Sequence, residues 1–125
     1  MNAPSVLGSS GLLAFLQEEP GFQQIEAALE TCAVCGAANW SEVAQKVAQH
    51  GGDWQLAKAT LTNYGLTVEP VTAADAELAA TIWAAAPSLP LGDRLGLALA
   101  MRLKAAALTA DAAWSAAYDQ AVVIR

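Results

Sequence analysis

Basic residues are scarce in this chain of 125 residues: six Lys and Arg stand against twelve Asp and Glu, and the net charge is −6. Proteins that bind nucleic acid through many phosphate contacts usually carry a basic patch. The composition therefore argues against extended, passive binding of nucleic acid. Metal-mediated contact with a few phosphates stays compatible with it, because a bound cation reverses the local sign of the field.

Cysteine is also scarce, and both cysteines, Cys32 and Cys35, lie in or beside one short apolar segment. If that segment is a strand, residues three apart point to opposite faces, which disfavours a disulfide between them. No second pair of Cys or His residues is present to complete a zinc site. We therefore interpret both cysteines as buried free thiols.

Long hydrophobic runs are missing, since no uninterrupted apolar run approaches the roughly 18 residues that a membrane span needs. The first residues show no basic region followed by an apolar core, as a secretory signal would. We therefore expect a cytoplasmic protein without a membrane segment. The apolar content of 55%, mostly Ala and Leu, indicates instead a globular domain with many helices.

Short apolar segments alternate with longer segments of helical character along the chain. We predict strands at Asn2–Leu7, Cys32–Gly36, Thr67–Val71, Ala105–Thr109 and Ala121–Ile124. We predict helices at residues 12–16, with Ser9 or Ser10 as N-cap, at 22–31, at 39–50, at 54–64, with Asp53 as N-cap, at 72–86, at 93–104, and around Trp114 and Tyr118. This alternation predicts one α/β domain over residues 1–125, an α/β/α sandwich with about five parallel strands and helices on both faces.

Acidic residues are predicted to meet at one edge of this sheet. Asp93 opens a helix and Asp111 follows the next strand, so both lie at the edge formed by the carboxyl ends of the strands if the helix runs antiparallel to the strand. Right-handed crossovers bring Glu42, in the opening turn of the helix after the second strand, and Gly8, after the first strand, to the same edge. Open parallel sheets bind their ligands there.

Three carboxylates close together repel one another and favour the binding of a cation. Mg²⁺ is the usual hard cation for such ligands, and one or two Mg²⁺ ions can activate a water and stabilise charge on a phosphoryl group. This pattern is typical of a phosphodiesterase or nuclease. The alternative is that each acid is only a helix-terminal residue, because the helix dipole favours an acid in the first turn regardless of function.

Four segments in the same order along the chain, 6–14 (VLGSSGLLA), 39–42 (NWSE), 91–94 (LGDR) and 108–111 (LTAD), resemble the PIN domain, specifically the VapC-type toxins of bacterial type II toxin–antitoxin pairs. The resemblance implies a PIN-like fold and an Mg²⁺-dependent endoribonuclease, with Mn²⁺ as a substitute, that acts through a site of four acids. It also implies a homodimer and a VapB-type antitoxin that silences the toxin.

The resemblance also implies roles for particular residues. Three of the four family acids map onto Glu42, Asp93 and Asp111, as catalytic residues and metal ligands. The supporting positions are Ser9 or Ser10, which can add a hydroxyl near the metal, Thr109, just before the last acid, and Arg94. We expect Arg94 to orient the carboxylate of Asp93, to contact a phosphate, or to form an ion pair within the site.

The chain departs from the family at Gly8, since residues 8–11 read Gly-Ser-Ser-Gly where the family pattern is Asp-Ser-Ser-Ala. The change removes one charge and one ligand from a metal that prefers near-octahedral oxygen coordination. We therefore expect weak metal affinity and little nuclease activity. The alternative is an inactive interaction module that binds the antitoxin. A response-regulator receiver is disfavoured, because no acid stands at position 8 and no Lys follows a later strand.

Three further residues invite an interpretation from the sequence. Trp40 is the only tryptophan that we consider near a substrate, because it lies beside Glu42, although packing under the site is the simpler interpretation. Trp83 lies on an apolar helical stripe and is predicted to be in the core. Asp75 is predicted to be an N-cap or a first-turn acid of its helix.

Overall fold

The computed structural model describes residues 3–125, so the predicted start of the first strand at Asn2 lies outside the described residues. Within this range the strands are β1 Ser5–Leu7, β2 Ala33–Gly36, β3 Thr67–Glu69, β4 Ala107–Thr109 and β5 Ala121–Val123. The helices are α1 Ser9–Leu16, α2 Phe22–Thr31, α3 Ala37–Gln49, α4 Trp54–Asn63, α5 Ala73–Ala85, α6 Leu91–Leu103 and α7 Trp114–Ala117.

The five strands form one parallel sheet in the order β3-β2-β1-β4-β5. β1 is the central strand, and its Val6 lies opposite Val34 on one side and Ala107 on the other. The prediction of a parallel sheet with about five strands is confirmed. The strands are shorter than predicted, and β3 ends at Glu69 because Pro70, which has no N–H, cannot continue the ladder.

Helices cover both faces of the sheet, as predicted. Val6 packs into a core cluster with residues of α5 and α6, whereas the next residue, Leu7, packs into a second cluster with residues of α1 to α4. This division follows from the strand, in which successive side chains point to opposite faces. The carboxyl ends of the strands are thus flanked by α1 and α3 on one side of the sheet and by α6 on the other.

Two predicted helix starts near the sheet edge are wrong. α1 begins at Ser9, and its N-cap is Gly8, which makes no side-chain cap bond, so neither Ser9 nor Ser10 is the N-cap. α3 begins at Ala37, because two alanines after β2 are strong helix formers, and Glu42 lies in the second turn rather than the first. The prediction for α4 is confirmed, since Asp53 caps it by accepting a bond from the amide of Leu56 at 3.2 Å.

Some burial predictions are also wrong. Cys35 is buried, but Cys32 is exposed, because the chain leaves α2 there and β2 starts one residue later. Trp83 is 56% exposed rather than in the core. Trp40 packs edge-on against Trp54, with the ring centroids 4.9 Å apart. None of the helices within residues 3–125 is long and apolar enough to cross a membrane.

Candidate active site

The acids predicted to meet at the sheet edge act on one another in the structure. Glu42 projects from α3 and its carboxylate packs against the first turn of α6, where a Cβ built on Gly92 would lie only 2.8 Å from Oε1 of Glu42. Asp93 is the next residue of α6, and Asp111 lies just after β4. Helix and strand ends from three elements therefore bring these three carboxylates to one place.

The negative charge of this cluster affects the pKa of Asp93. Burial, followed by the negative charges of Glu42 and Asp111, raises the pKa of Asp93 to about 6. Burial and the charge of Glu42 also raise the pKa of the Cys35 thiol to about 12, which places Glu42 close to the end of β2. The edge therefore carries concentrated negative charge, as three unpaired carboxylates should.

A buried amide that sequence analysis did not single out holds Glu42 in place. Asn39 is completely buried, and its Nδ2 donates to Oε1 of Glu42 at 3.0 Å and to the carbonyl of Gly92 at 3.1 Å. One side chain thereby joins α3 to the start of α6. The spacing of three residues between Asn39 and Glu42 on a helix is the signal that could have found it.

Two hydroxyls fix the main chain that carries Asp111. Ser10 Oγ accepts a bond from the amide of Ala110 at 3.0 Å, and Thr109 Oγ1 accepts one from the amide of Asp111 at 3.0 Å. The two hydroxyls are also hydrogen-bonded to each other at 3.1 Å. Ser10 and Thr109 are therefore placed at the site, where they support the last acid, whereas Ser9 lies half-buried in the first turn of α1.

Arg94 does not join the acids. Its Nε donates to the carbonyl of Leu89 at 3.1 Å and its Nη1 to the carbonyl of Ala79 at 2.9 Å. Within residues 3–125 it forms no ion pair with an acid of the site. The guanidinium joins α5 to the loop before α6, in place of the ion pair or phosphate contact expected from its position beside Asp93.

Trp114, a second residue that the sequence did not place at the site, covers the end of the central strand. Its side chain is 1% exposed, and a Cβ built on Gly8 would lie 2.8 Å from Cη2 of the indole. Its Nε1 is close enough to Asp93 to lower the pKa of that carboxyl, but it makes no hydrogen bond of ordinary geometry. Trp114, rather than Trp40, is thus the tryptophan among the acids.

The carboxylates at this edge are the type of ligand that Mg²⁺ prefers, but there are too few of them close together to hold the ion. Carboxylate oxygens are the ligands that hard cations prefer, and the edge is strongly negative. Within residues 3–125, however, no three His, Cys, Asp or Glu side chains converge closely enough to hold a metal ion as they stand. Gly8 offers no side-chain oxygen, and the indole of Trp114 lies in front of it. The residues therefore do not form a complete metal site.

The fold and its acidic edge define a class: a parallel α/β sandwich whose carboxylates cluster where the strands end. The sequence model of the PIN domain matches residues 6–120, and the chain belongs to that family. PIN domains are generally nucleases. The resemblance inferred from the four short segments is thereby confirmed at the level of the family. No curated protein sequence matches the chain significantly.

Several solved structures share the fold. A toxin–antitoxin complex from Klebsiella pneumoniae matches with a TM-score of 0.81 and 16% identity, over 97% of this chain and 98% of that chain. VapBC2 from Rickettsia felis, bound to a DNA fragment from its promoter, matches with a TM-score of 0.64 and 12% identity, over 86% and 87%. PAE2754 from Pyrobaculum aerophilum matches with a TM-score of 0.67 and 16% identity, over 98% and 84%.

Proposed function

We propose that this chain is a VapC-type toxin, an Mg²⁺-dependent endoribonuclease of a type II toxin–antitoxin pair, whose activity is impaired by Gly8. The observation that carries the proposal is that Glu42, Asp93 and Asp111 lie at the same edge of the sheet, where the charges of Glu42 and Asp111 both raise the pKa of Asp93. The solved structures that share the fold include chains of toxin–antitoxin complexes, which supports this type of PIN domain.

Hydrolysis of a phosphodiester bond needs stabilisation of the negative charge that develops on the phosphoryl oxygens. Three carboxylates alone repel that charge; a divalent cation would offset it, and Glu42, Asp93 and Asp111 are the residues that would hold one. With no acid at position 8, this site lacks one charge and one ligand. We therefore expect the affinity for Mg²⁺ or Mn²⁺ to be weak and cleavage of RNA to be slow.

Cleavage of a mixed pool of tRNA and rRNA in Mg²⁺ tests the proposal. We expect little cleavage by the chain with Gly8. A variant that restores the acid and makes room for it, Gly8→Asp with Trp114→Phe, should cleave about 10–100-fold faster, the range by which support of a metal site changes activity. EDTA, or Glu42→Gln in that variant, should abolish the gain. Equal cleavage by the chain with Gly8 and the variant would contradict an impairment at Gly8.

An interaction module is the second candidate, and a groove on the helical face opposite α6 favours it. This groove has a volume of about 560 Å³ and lies between α1, α2, α3 and α4, with Phe15, Phe22, Leu56 and Tyr64 among its lining side chains. Leu56 is 66% exposed there. An apolar groove of this kind suits a segment of a VapB-type antitoxin.

The interaction module makes a different prediction from the nuclease. If neither the chain with Gly8 nor the double variant cleaves RNA, but both fold and bind the antitoxin encoded beside the chain's gene, binding is the function. Leu56→Glu should then abolish that binding, whereas Glu77→Lys on the exposed side of α5 should leave it unchanged.

A homodimer, the other implied partner, is tested by light scattering of the purified chain at micromolar concentration.

A further inference from the structure

The end of β1 and the indole of Trp114 are packed more closely than any side chain at position 8 would allow. A Cβ built on Gly8 would lie 2.8 Å from Cη2, 3.1 Å from Cζ2 and 3.5 Å from Cζ3 of Trp114. Real Cβ atoms essentially never approach another heavy atom within 3.0 Å. Any residue other than glycine at position 8 therefore requires the indole to move, and Trp114 is only 1% exposed.

The same ring lies against a second glycine, in α6. A Cβ built on Gly96 would lie 3.1 Å from Cη2 of Trp114 and 2.8 Å from Oδ1 of the buried Asn39. Glycine inside a helix costs about 1 kcal/mol relative to alanine, so Gly96 is a poor choice for α6 unless a close approach requires it. The outer edge of the indole thus lies between Gly8, directly after the central strand, and Gly96 on the helix that carries Asp93.

The polar edge of the indole lies toward the acids. Among the described residues, the buried side-chain atoms without a hydrogen-bond partner are Nε1 of Trp114 and Oδ1 of Asn39. Both atoms belong to side chains that contact the acid cluster, since Asn39 holds Glu42 and Trp114 interacts with Asp93. The indole therefore places aromatic carbons, rather than a carboxylate, against Gly8 at the end of β1, while its N–H lies on the side of Asp93.

We propose that the indole of Trp114 occupies the place of the missing first acid. Gly8 and Trp114 then form a coupled pair, and restoring the acid at position 8 alone cannot restore the metal site. This proposal rests on the proposed function in one respect: it takes position 8 to be an acid position of the metal site. The packing of the pair does not depend on that role, so the two can fail separately.

Gly36 provides a matched control for the packing step. Gly8 directly follows β1 and Gly36 is the last residue of β2, each is the N-cap of the next helix, and their backbone angles are nearly the same, with φ/ψ of −75°/164° and −72°/150°. A Cβ on Gly36 would meet Oδ1 of Asn39 at 3.4 Å and Cδ2 of Leu99 at 3.5 Å, which is ordinary contact. Replacing either glycine by alanine therefore makes the same change at a helix N-cap, but only the replacement at Gly8 forces a neighbouring side chain to move.

Thermal unfolding without metal tests the packing. We expect Gly8→Ala to lower the Tm by about 5–10 °C, the shift that corresponds to a loss of one to two kcal/mol in a domain of this size, and Gly36→Ala to change it much less. In a Trp114→Phe background, which removes the outer ring edge, Gly8→Ala should cost only as much as Gly36→Ala. An equal cost of Gly8→Ala with and without the indole would overturn the coupling.

Binding of Mn²⁺, measured by electron paramagnetic resonance, tests the consequence for the site. We expect Gly8→Asp alone and Trp114→Phe alone to bind Mn²⁺ nearly as weakly as the unsubstituted chain. The double variant should bind at least about tenfold more tightly, and Glu42→Gln should remove that gain. A full gain from Gly8→Asp alone would overturn the proposal. If the Tm effect of Gly8→Ala depends on the indole but the double variant binds Mn²⁺ no more tightly, the packing of Gly8 against Trp114 is supported and the role of position 8 as an acid position is overturned.

Discussion

Two aspartates at equivalent positions of neighbouring helices have opposite properties. Asp75 is the third residue of α5 and Asp93 is the third residue of α6, so the positive end of a helix dipole favours the charged form of both. Nevertheless, the pKa of Asp75 is lowered, whereas the pKa of Asp93 is raised to about 6. Position in the helix therefore does not decide whether an acid is a structural or a functional group.

The difference comes from the partners of each carboxylate. Burial raises the pKa of Asp75, but hydrogen bonds from Arg102 at 2.8 Å and from the amide of Thr72 at 3.2 Å outweigh it. Thr72 also accepts a bond from the amide of Asp75, which completes a capping box. The prediction of a first-turn acid at Asp75 is confirmed, and this acid stays with Arg102 at the far end of α6.

Asp93 cannot be satisfied in the same way. The N-cap of α6 is Pro90, which has neither an N–H to donate to the carboxylate nor a side-chain oxygen to accept from the helix. Partial burial and then the negative charges of Glu42 and Asp111 raise the pKa of Asp93 instead. A half-buried acid that its own helix does not satisfy is a group that an external cation or donor can use.

The largest expected effect comes from breaking the satisfied pair. Arg102→Met leaves Asp75, whose side chain is 3% exposed, without its charged partner, and we expect the free energy of unfolding at pH 7 to fall by about 3 kcal/mol. Urea denaturation measures it. Arg125→Met is the control, because it breaks the exposed pair with Glu19 and should cost less than about 0.5 kcal/mol. Similar decreases in the free energy of unfolding of the two variants would contradict the claim that the buried ion pair stabilises the fold more than the exposed one.

Neutralising Asp93, the acid without a satisfying partner, should raise the free energy of unfolding instead of lowering it. Because the folded-state pKa of Asp93 is raised to about 6 from the ordinary aspartate value of 3.8, the folded protein favours the protonated acid, and stability is lost as the pH rises from about 4 through 6. Asp93→Asn should therefore stabilise the chain at pH 7 by about 2 kcal/mol, since one pKa unit corresponds to about 1.4 kcal/mol and partial exposure reduces the effect.

The pH dependence distinguishes the two aspartates. The gain from Asp93→Asn should vanish below pH 4, where the acid is protonated in both the folded and the unfolded state. The contribution of Asp75 runs the other way: because its pKa is lowered, the stability that it supplies is present above about pH 4 and is lost as the pH falls further. Thermal unfolding between pH 3 and 8 measures both. A gain from Asp93→Asn that does not depend on pH would contradict this account.

The smallest expected effect comes from removing the Thr109 hydroxyl, an uncharged group that holds the main chain at Asp111. Thr109→Val keeps the shape of a completely buried side chain but removes the hydroxyl that accepts from the amide of Asp111. We expect a loss of about 1 kcal/mol in the free energy of unfolding. Thr67→Val, at an exposed position of β3, should change it by no more than a few tenths of a kcal/mol. An equal effect at both positions would mean that this hydrogen bond does not stabilise the fold.

The sequence was sufficient for the sheet and for the meeting of the acids. Alternating short apolar segments and helices predict a parallel sheet, and parallel strands bring residues that follow them to one edge, which is why Glu42, Asp93 and Asp111 could be placed together. Both inferences depend on local pattern and on topology. Neither needs to know how any one side chain is oriented.

The residues that the sequence misplaced depend on contacts between distant parts of the chain. Asn39 matters because it reaches Gly92, 53 residues further on, and Trp114 matters because its ring lies against Gly8. Arg94 is held by the carbonyls of Ala79 and Leu89 rather than by its neighbour in the sequence. Such choices among several available partners are made by packing, for which the chain carries no periodic signal.

The hydroxyl bridge between Ser10 and Thr109 has a consequence for how the protein is made. The two residues are 99 positions apart, and the central strand β1 is flanked on one side by β4, so the middle of the sheet cannot close until residues near position 109 have left the ribosome. Contacts that span so much of a chain slow folding. The acidic edge therefore assembles late in synthesis, and a nascent chain released before Ala107 lacks both β4 and the last acid, Asp111, that an active site would need.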